Sequence, residues 1–124
     1  MLGKEKCYPT VAVKDIDVAK KFYEGSLGLQ EVATEGSDFV SYRTGDSMLF
    51  VYTSRFAGTN EATAVTWIVA DVDKAVQDLK ARDVVFEHYD MPDMTLEGDV
   101  HVSGQMKVAW FKDPDGNIHS IAEE

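Results

Sequence analysis

The side chains best suited to binding or proton transfer lie between positions 89 and 105, where carboxylates, methionines and one histidine occur together. Glu97 and His101 are four residues apart, and a carboxylate beside an imidazole could bind a metal ion or exchange a proton near neutral pH. Met94 adds a flexible apolar side chain, so these three residues could belong to a lid over an apolar ligand. The alternative for His101 is an ordinary surface histidine in a loop.

The other reactive side chains are isolated along the chain. We expect His88 and His119 to be surface residues as well. Cys7 is the only cysteine, which excludes an intramolecular disulfide and suits a reducing cytoplasm. Its expected state is a buried, inert thiol. We therefore assign no catalytic residue from the sequence.

Composition restricts the classes of function. With 124 residues and 13.8 kDa the chain fits one domain, and 44% hydrophobic with 27% charged residues is typical of a globular fold. The formal net charge of -10 disfavours binding to nucleic acid or to an anionic membrane surface. The longest apolar runs are too short to span a bilayer and the N-terminus has no secretory pattern, so we expect a cytoplasmic protein.

The elements that must position these side chains repeat once along the chain. Asp15–Ala19 and Asp71–Ala75 share the pattern Asp-x-Asp-x-Ala, 56 residues apart. An apolar, β-rich run precedes each pattern, at Pro9–Val13 and at Ala64–Val69. Amphipathic spacing follows each pattern, so both leading aspartates are predicted to cap a helix. Gly28 is expected to end the first helix.

Beyond each helix the hydrophobic pattern alternates with a period of two residues, which predicts strands. Three strands are expected in each half, at 29–34, 38–43 and 48–53 and again at 84–88, 106–111 and 117–122. Tight turns are predicted at 44–47 and at Asp113–Gly116, where Pro114 fixes one backbone angle and Gly116 tolerates a positive φ. Each half is therefore β-α-β-β-β.

These elements predict an α+β fold of two tandem βαβββ modules with one helix per module. The modules should form a concave, mostly antiparallel eight-stranded sheet, as a pair of half-barrels. Module one spans 8–53, a polar linker spans 54–63, and module two spans 64–123, within a single domain covering 1–124. One helix covers only one face of each sheet, so the concave faces must meet a partner, either within the chain or across a dimer.

Three sequence motifs connect these modules with a known fold. Phe111–Ile118 reads Phe-Lys-Asp-Pro-Asp-Gly-Asn-Ile, Val13–Tyr23 ends in Phe-Tyr, and Leu27–Leu29 reads Leu-Gly-Leu. In these motifs the chain resembles the vicinal-oxygen-chelate superfamily, which contains glyoxalase I, extradiol dioxygenases and bleomycin-resistance proteins. The resemblance extends from about Tyr8 to Glu123 and implies a homodimer. It does not imply one activity, because the fold hosts many chemistries.

The resemblance also implies where a metal ion would bind. Metal-dependent members use four equivalent positions on the first and last strands of the two modules, and the cation acts there as a Lewis acid. These positions fall on Tyr8, Phe50, Ala64 and Ser120. Because such residues are poor ligands or have no donor atom, we expect a member without the usual metal ligands and without a cofactor.

Strand alternation and the resemblance together predict the residues that line the cleft. Aromatic and methionine side chains dominate this set, with a few hydroxyl groups and one arginine. Its members are Tyr8, Phe39, Ser41, Arg43, Met48, Phe50, Tyr52, Thr66, Met106, Trp110 and Ser120. Such a pocket suits flat or amphipathic small molecules. The alternative is that the aromatic rings only pack against one another and that Arg43 is a solvated charge at the rim.

The sequence therefore predicts a metal-independent small-molecule binding protein that resembles the bleomycin-resistance branch. This resemblance implies a role in antibiotic resistance. An acidic rim over aromatic rings favours an aromatic or cationic ligand. The alternative is a metal-dependent lyase, isomerase or dioxygenase of the same superfamily, with a displaced metal site at Glu97 and His101. A structural or regulatory dimer without a ligand is the third possibility.

Overall fold

Two mixed β-sheets, each covered on one side by a helix, make up the fold in the computed structural model, which describes residues 1–123. The helices are α1 (Ile16–Lys20) and α2 (Val72–Lys80). The strands are β1 (Thr10–Val13), β2 (Gln30–Glu35), β3 (Phe39–Thr44), β4 (Ser47–Thr53), β5 (Thr63–Val69), β6 (Phe86–Glu87), β7 (Thr95–Glu97), β8 (Val100–Ser103), β9 (Met106–Lys112) and β10 (Ile118–Glu123). Within residues 1–123, no helix combines the length and apolar content needed to cross a membrane.

The two sheets share one topology, which confirms the predicted repeat. The first sheet has the strand order β1-β4-β3-β2 and the second has the order β5-β10-β9-β8-β7, with β6 also paired to β9. In each sheet the first strand is parallel to the last strand of its own module, and the remaining neighbours are antiparallel. The sheets stay open rather than closing into a barrel, so the α+β class of two βαβββ modules is confirmed.

Side-chain caps begin both helices at the predicted aspartates. Asp15 accepts hydrogen bonds from the backbone N–H groups of Asp17 and Val18, and Asp71 accepts one from Lys74. Helix α1 continues as a π-helical segment, Lys21–Ser26, and the chain then turns at Gly28 with a φ of 70°. The predicted glycine stop is therefore confirmed, because this left-handed backbone conformation is readily adopted only by glycine.

The segment between positions 89 and 105 contains a hairpin, which the sequence pattern did not predict. Strands β7 and β8 pair across Gly98-Asp99, and β8 pairs with β9 across Gly104-Gln105. Both glycines have a positive φ, of 64° and 62°, as does Gly45 (56°) in the predicted turn between β3 and β4. A glycine at the first turn position is typical of two-residue type II′ hairpins. The hairpin β7–β8 therefore adds two strands to the eight expected.

Asp99 fixes this hairpin to the second helix. Its carboxylate accepts hydrogen bonds from Nζ of Lys80, at 2.6 Å, and from Nε2 of His88, at 2.7 Å. Hydrogen bonding from Lys80 and then from His88 holds the pKa of Asp99 below its usual range. His88 is half-exposed, which agrees with its predicted surface position.

Two apolar clusters fill the space between sheets and helices, one in each module. Phe22, Leu27 and Trp67 pack against both clusters and so join the modules. The prediction of a buried Cys7 is wrong, because its side chain is exposed. Cys7 lies before the first residue of β1, outside regular secondary structure.

A buried hydrogen-bond network joins the Phe-Tyr motif of module one to the Asp-Pro-Asp-Gly-Asn turn of module two. Tyr23 donates its hydroxyl to Asp113 at 2.7 Å and lies 3.0 Å from Nε2 of His119. Trp67 donates its indole N–H to Nδ1 of His119, also at 3.0 Å. Asn117 donates to Asp113 and to the carbonyl of Ala12 in β1. Motifs far apart in sequence therefore form one structural unit.

The prediction of a surface position for His119 is wrong, because this residue is fully buried in the network. Burial lowers the pKa of His119 to about 4 from an ordinary value near 6.5, since the charged imidazolium loses its hydration. The neutral ring also stacks on Phe111 at 4.9 Å between ring centroids. Its two ring nitrogens are occupied by Trp67 and Tyr23, so this histidine has a structural role.

We expect acid to destabilise the fold through His119. The unfolded chain binds a proton at this residue below pH 6.5, whereas the folded chain resists protonation down to about pH 4. Stability is therefore fully present above pH 6.5 and falls by about 3 kcal/mol as the pH drops to 4. Urea denaturation across this range measures the change. The variant His119→Gln should be less stable at pH 7 but less sensitive to acid, and parallel pH profiles would contradict the assignment.

Candidate functional site

The concave face of the first sheet carries a cluster of aromatic rings. Phe50 packs edge-on against Tyr8 and Phe39, with ring centroids 5.3 and 5.2 Å apart. Phe39 lies directly opposite Tyr52 on the neighbouring strand. These positions follow from the pairing of β3 with β4, whose register is set by the predicted tight turn. This register pairs Phe39 with Tyr52, Ser41 with Phe50, and Arg43 with Met48.

The polar residues of this first face differ in exposure. Ser41 is buried beside the aromatic rings, whereas Arg43 at the end of the same strand is exposed. Met48 is half-buried opposite Arg43. The predicted residues of module one are therefore brought to one face, and Arg43 has the position expected of a rim charge.

The concave face of the second sheet carries a different aromatic cluster, centred on Trp110 in β9. Its ring lies edge-on to His101, at 4.9 Å between centroids, and to Tyr89, at 5.3 Å. The indole N–H donates a hydrogen bond to Oγ1 of Thr63 at 3.2 Å. Because Trp110 is held on two sides by rings and on a third by a hydroxyl, its orientation is well defined.

Hydroxyl groups and a methionine complete this second face. Thr66 and Ser120 lie on neighbouring strands with their oxygens 2.7 Å apart, so each hydroxyl already has a partner. Met106, at the start of β9, is 63% exposed. The predicted residues of module two therefore also share one sheet face.

A groove of about 540 Å³ lies between the linker and the second face. Its lining includes Trp110, Tyr89, Met91, Asn60, Glu61 and Lys112. Gly58 positions the linker, because a Cβ atom there would lie 2.6 Å from the carbonyl oxygen of Asp115. A volume of this size accommodates a small organic molecule.

The three residues of the predicted lid, Met94, Glu97 and His101, do not share one face of the hairpin. His101 is 1% exposed, on the face that carries Trp110, so its predicted surface alternative is wrong. Glu97 pairs with Val100, whose side chain is buried in the core, and neighbouring positions along a strand point to opposite faces. Glu97 and His101 therefore lie on opposite faces of the hairpin. Met94 is half-buried beside the start of β7.

The four positions that the family uses for a metal ion do not fit one in this chain. Phe50 and Ala64 have no side-chain donor, and the Phe50 ring packs against Tyr8. The Ser120 hydroxyl is paired with Thr66. Divalent cations need several nitrogen, sulfur or oxygen donors that converge on one point. Across the described part of the chain, no group of three or more His, Cys, Asp or Glu side chains could hold a metal ion.

The two faces remain separately exposed in a single chain. Tyr52 on the first face is 41% exposed, and Ile68, which follows Thr66 by two residues on β5, is 58% exposed. Residues of a closed cleft would be shielded by the opposite sheet, so these faces form two open half-sites. We call them the Phe50 half-site, on the first sheet, and the Trp110 half-site, on the second.

Two open βαβββ half-barrels in one chain define a class of protein. The family model for the Glyoxalase/Bleomycin resistance protein/Dioxygenase superfamily matches residues 8–120, and the chain belongs to this superfamily. A search of curated protein sequences gives no match to the chain. The family assignment therefore rests on the match over nearly the whole chain.

Solved structures agree with this fold. The bleomycin resistance determinant encoded on the transposon Tn5 has a TM-score of 0.74 at 18% identity, over 98% of both chains. Lactoylglutathione lyase from Agrobacterium tumefaciens has a TM-score of 0.72 at 17% identity, over 97% of this chain and 93% of that one. TnmS3, an antibiotic binding protein from Streptomyces sp. CB03234, has a TM-score of 0.70 at 19% identity, over 99% and 98%.

Sequence reasoning missed Tyr89 and the linker residues of the groove. Tyr89 lies just after the short strand β6, and its ring packs against the rings of Trp110 and His101. One available signal was the alternation of Val100 to Ser103 behind a Gly-Asp pair, which is typical of a hairpin strand. That pattern would have placed His101 on the same face as Trp110.

Proposed function

We propose that this protein is a metal-independent small-molecule binding protein of the bleomycin-resistance type. The observation that carries the proposal is the presence of oriented aromatic rings on both concave faces, where metal-dependent relatives would need ligands. Aromatic rings with a few hydrogen-bonding groups bind flat organic molecules by stacking. Structural neighbours described as bleomycin-resistance and antibiotic-binding proteins support an antibiotic-like ligand.

We further propose that the ligand is aromatic and cationic. The net charge of -10 attracts cations to the protein, and Glu61 places one carboxylate on the wall of the groove beside Trp110. Tryptophan is also the most favourable ring for cation–π contact. The basic residue Lys112 on the same wall has its own partner, since its Nζ lies 3.6 Å from Glu87.

A homodimer would complete the site. The Phe50 and Trp110 half-sites each leave apolar surface exposed, including Tyr52, Ile68 and Met106. Burial of these surfaces against each other favours pairing of module one from one copy with module two from the other. Both modules of the domain are then needed for each site. We also propose a cytoplasmic location, where a single exposed thiol such as that of Cys7 would stay reduced.

Titration with two three-ring compounds of opposite charge tests this proposal. 9-Aminoacridine is cationic at neutral pH, and 9-anthracenecarboxylate is anionic and similar in size. We expect saturable binding of the cation in the presence of EDTA, at least about tenfold tighter than binding of the anion, as measured by ligand fluorescence.

Charge variants test whether the preference for the cation over the anion arises in the groove. Glu61→Gln should weaken 9-aminoacridine binding several-fold, whereas Asp17→Asn on α1, which covers the opposite side of the first sheet, removes an equal charge away from both half-sites. Equal effects of the two variants would contradict recognition of the cation at the groove. Failure of both compounds to bind would contradict the proposed function itself.

A further inference from the structure

Two buried polar atoms without a partner lie next to Trp110. In the described residues, the buried side-chain atoms that lack any hydrogen-bond partner are the Tyr89 hydroxyl and Nδ1 of His101. Buried polar groups are almost always satisfied in native proteins, because an unpaired one has lost its hydration without compensation. The occurrence of both exceptions in one small cluster indicates a place where a further group is to be bound.

The hydrogen-bond pattern identifies what His101 offers to that group. Its Nε2 accepts a hydrogen bond from the backbone N–H of Tyr89 at 2.9 Å. A nitrogen that accepts this bond carries no hydrogen, so the neutral ring carries its hydrogen on Nδ1. Nδ1–H is therefore a donor, and the Tyr89 hydroxyl can donate as well. Together the two residues present two donors without an acceptor.

Both donors lie directly behind the Trp110 wall of the proposed binding site. The rings of Tyr89 and His101 are 6.1 Å apart, and both contact the Trp110 ring edge-on. His101 is fixed on β8 by pairing with Val108. Tyr89 and Met91, which line the groove, lie in a stretch between β6 and β7 without regular secondary structure. A shift of this stretch would give a ligand on Trp110 access to both donors.

We propose that Tyr89 and His101 are specificity-determining donors, and that they select flat aromatic ligands with a hydrogen-bond acceptor such as a ring carbonyl. This inference rests on the proposed function and adds the requirement that the ligand carries a hydrogen-bond acceptor. The Trp110 ring supplies contact area for any flat molecule, whereas the donors distinguish molecules by chemistry. An aromatic molecule without an acceptor, such as the 9-aminoacridine cation, can still stack on Trp110, but it leaves both donors unpaired and therefore forgoes the affinity that an acceptor would add.

Xanthone and xanthene provide the test, because they share three rings and differ by a carbonyl in place of a methylene. We expect the wild-type protein to bind xanthone about tenfold more tightly than xanthene. Tyr89→Phe should reduce this preference several-fold without lowering the melting temperature, since the lost hydroxyl has no partner in the free protein. Quenching of the tryptophan fluorescence, to which Trp110 at the site and Trp67 in the core both contribute, and thermal unfolding give the two readouts.

Two substitutions at His101 separate its donor from its acceptor. His101→Asn places an amide N–H near the position of Nδ1 and should keep most of the preference for xanthone. His101→Gln retains an acceptor near Nε2 for the Tyr89 N–H, and it should lose the preference. A structural role alone predicts the reverse order, because only the glutamine preserves the existing hydrogen bond.

The possible outcomes distinguish this inference from the proposed function. Equal affinities of the wild-type protein for xanthone and xanthene would overturn the role of the two donors while leaving aromatic binding intact. A melting temperature lowered by Tyr89→Phe, with the preference unchanged, would also overturn it, since a bridging water would then be the partner. Binding of 9-aminoacridine but of neither xanthone nor xanthene would overturn the inference alone, whereas binding of none of the three would overturn the proposed function and the inference with it.

Discussion

Replacement of Asp113 by alanine is expected to lower the free energy of unfolding by about 3–5 kcal/mol, measured by urea denaturation. This buried carboxylate accepts four hydrogen bonds. The donors are the Tyr23 hydroxyl, the backbone N–H groups of Asp115 and Asn117, and the side-chain amide of Asn117. Its loss leaves these donors unpaired and separates the turn of module two from the helical segment of module one. A small domain has only about 5–15 kcal/mol of stability, so much of the fold's stability depends on this residue.

Asp115 is the matched control within the same turn. It is only partly buried, and its side chain accepts a single long hydrogen bond, from the backbone N–H of Lys14 at 3.3 Å. Asp115→Ala is therefore expected to cost less than about 1 kcal/mol. If both alanine variants were equally stable, the buried network would not be what joins the modules.

Replacement of Trp110 by alanine is expected to weaken binding of 9-aminoacridine by at least about tenfold, because the main stacking surface of its half-site is lost. Phe50→Ala should weaken binding in the same way from the other face. Val18→Ala, on the exposed side of α1, provides a control that removes apolar surface away from both half-sites. Fluorescence of the bound dye measures all three affinities.

Mixing the two variants with weakened dye binding tests whether each site is formed by two copies of the chain. Half of the dimers formed after co-refolding of Trp110→Ala with Phe50→Ala contain one chain of each kind. In such a dimer one site carries both substitutions and the other carries neither, so about a quarter of all sites recover wild-type affinity. No recovery would contradict a site formed by module one of one copy and module two of the other.

The parts of the fold that could be predicted are those that depend on contacts between residues close in sequence. The caps at Asp15 and Asp71 and the register between β3 and β4 depend on residues close in sequence. The hairpin β7–β8 was missed because β7 has only three residues, too few for an alternating pattern to be recognised. Its Gly98-Asp99 turn repeats the Gly45-Asp46 pair that was recognised, so the turn chemistry was informative where the strand was not.

Long-range contacts explain why His119 was placed wrongly. The partners of His119 are Trp67 and Tyr23, which are 52 and 96 residues away along the chain. A local pattern contains no information about such partners, and histidine without a partner is commonly exposed. Trp110 was assigned to the site through the family resemblance, whereas its neighbour Tyr89 has no counterpart in the quoted motifs. The predicted sheet faces were recoverable from alternation, but the groove between linker and sheet was not.

Calorimetric titration of the metal-stripped protein with 9-aminoacridine tests the central claim most directly. The titration is performed in EDTA and repeated with added Ni²⁺ or Zn²⁺. Because Tyr8, Phe50, Ala64 and Ser120 offer no convergent donors, the same affinity is expected in both conditions. One ion bound per chain at the concave faces, together with loss of dye binding in EDTA, would contradict a metal-independent binding protein.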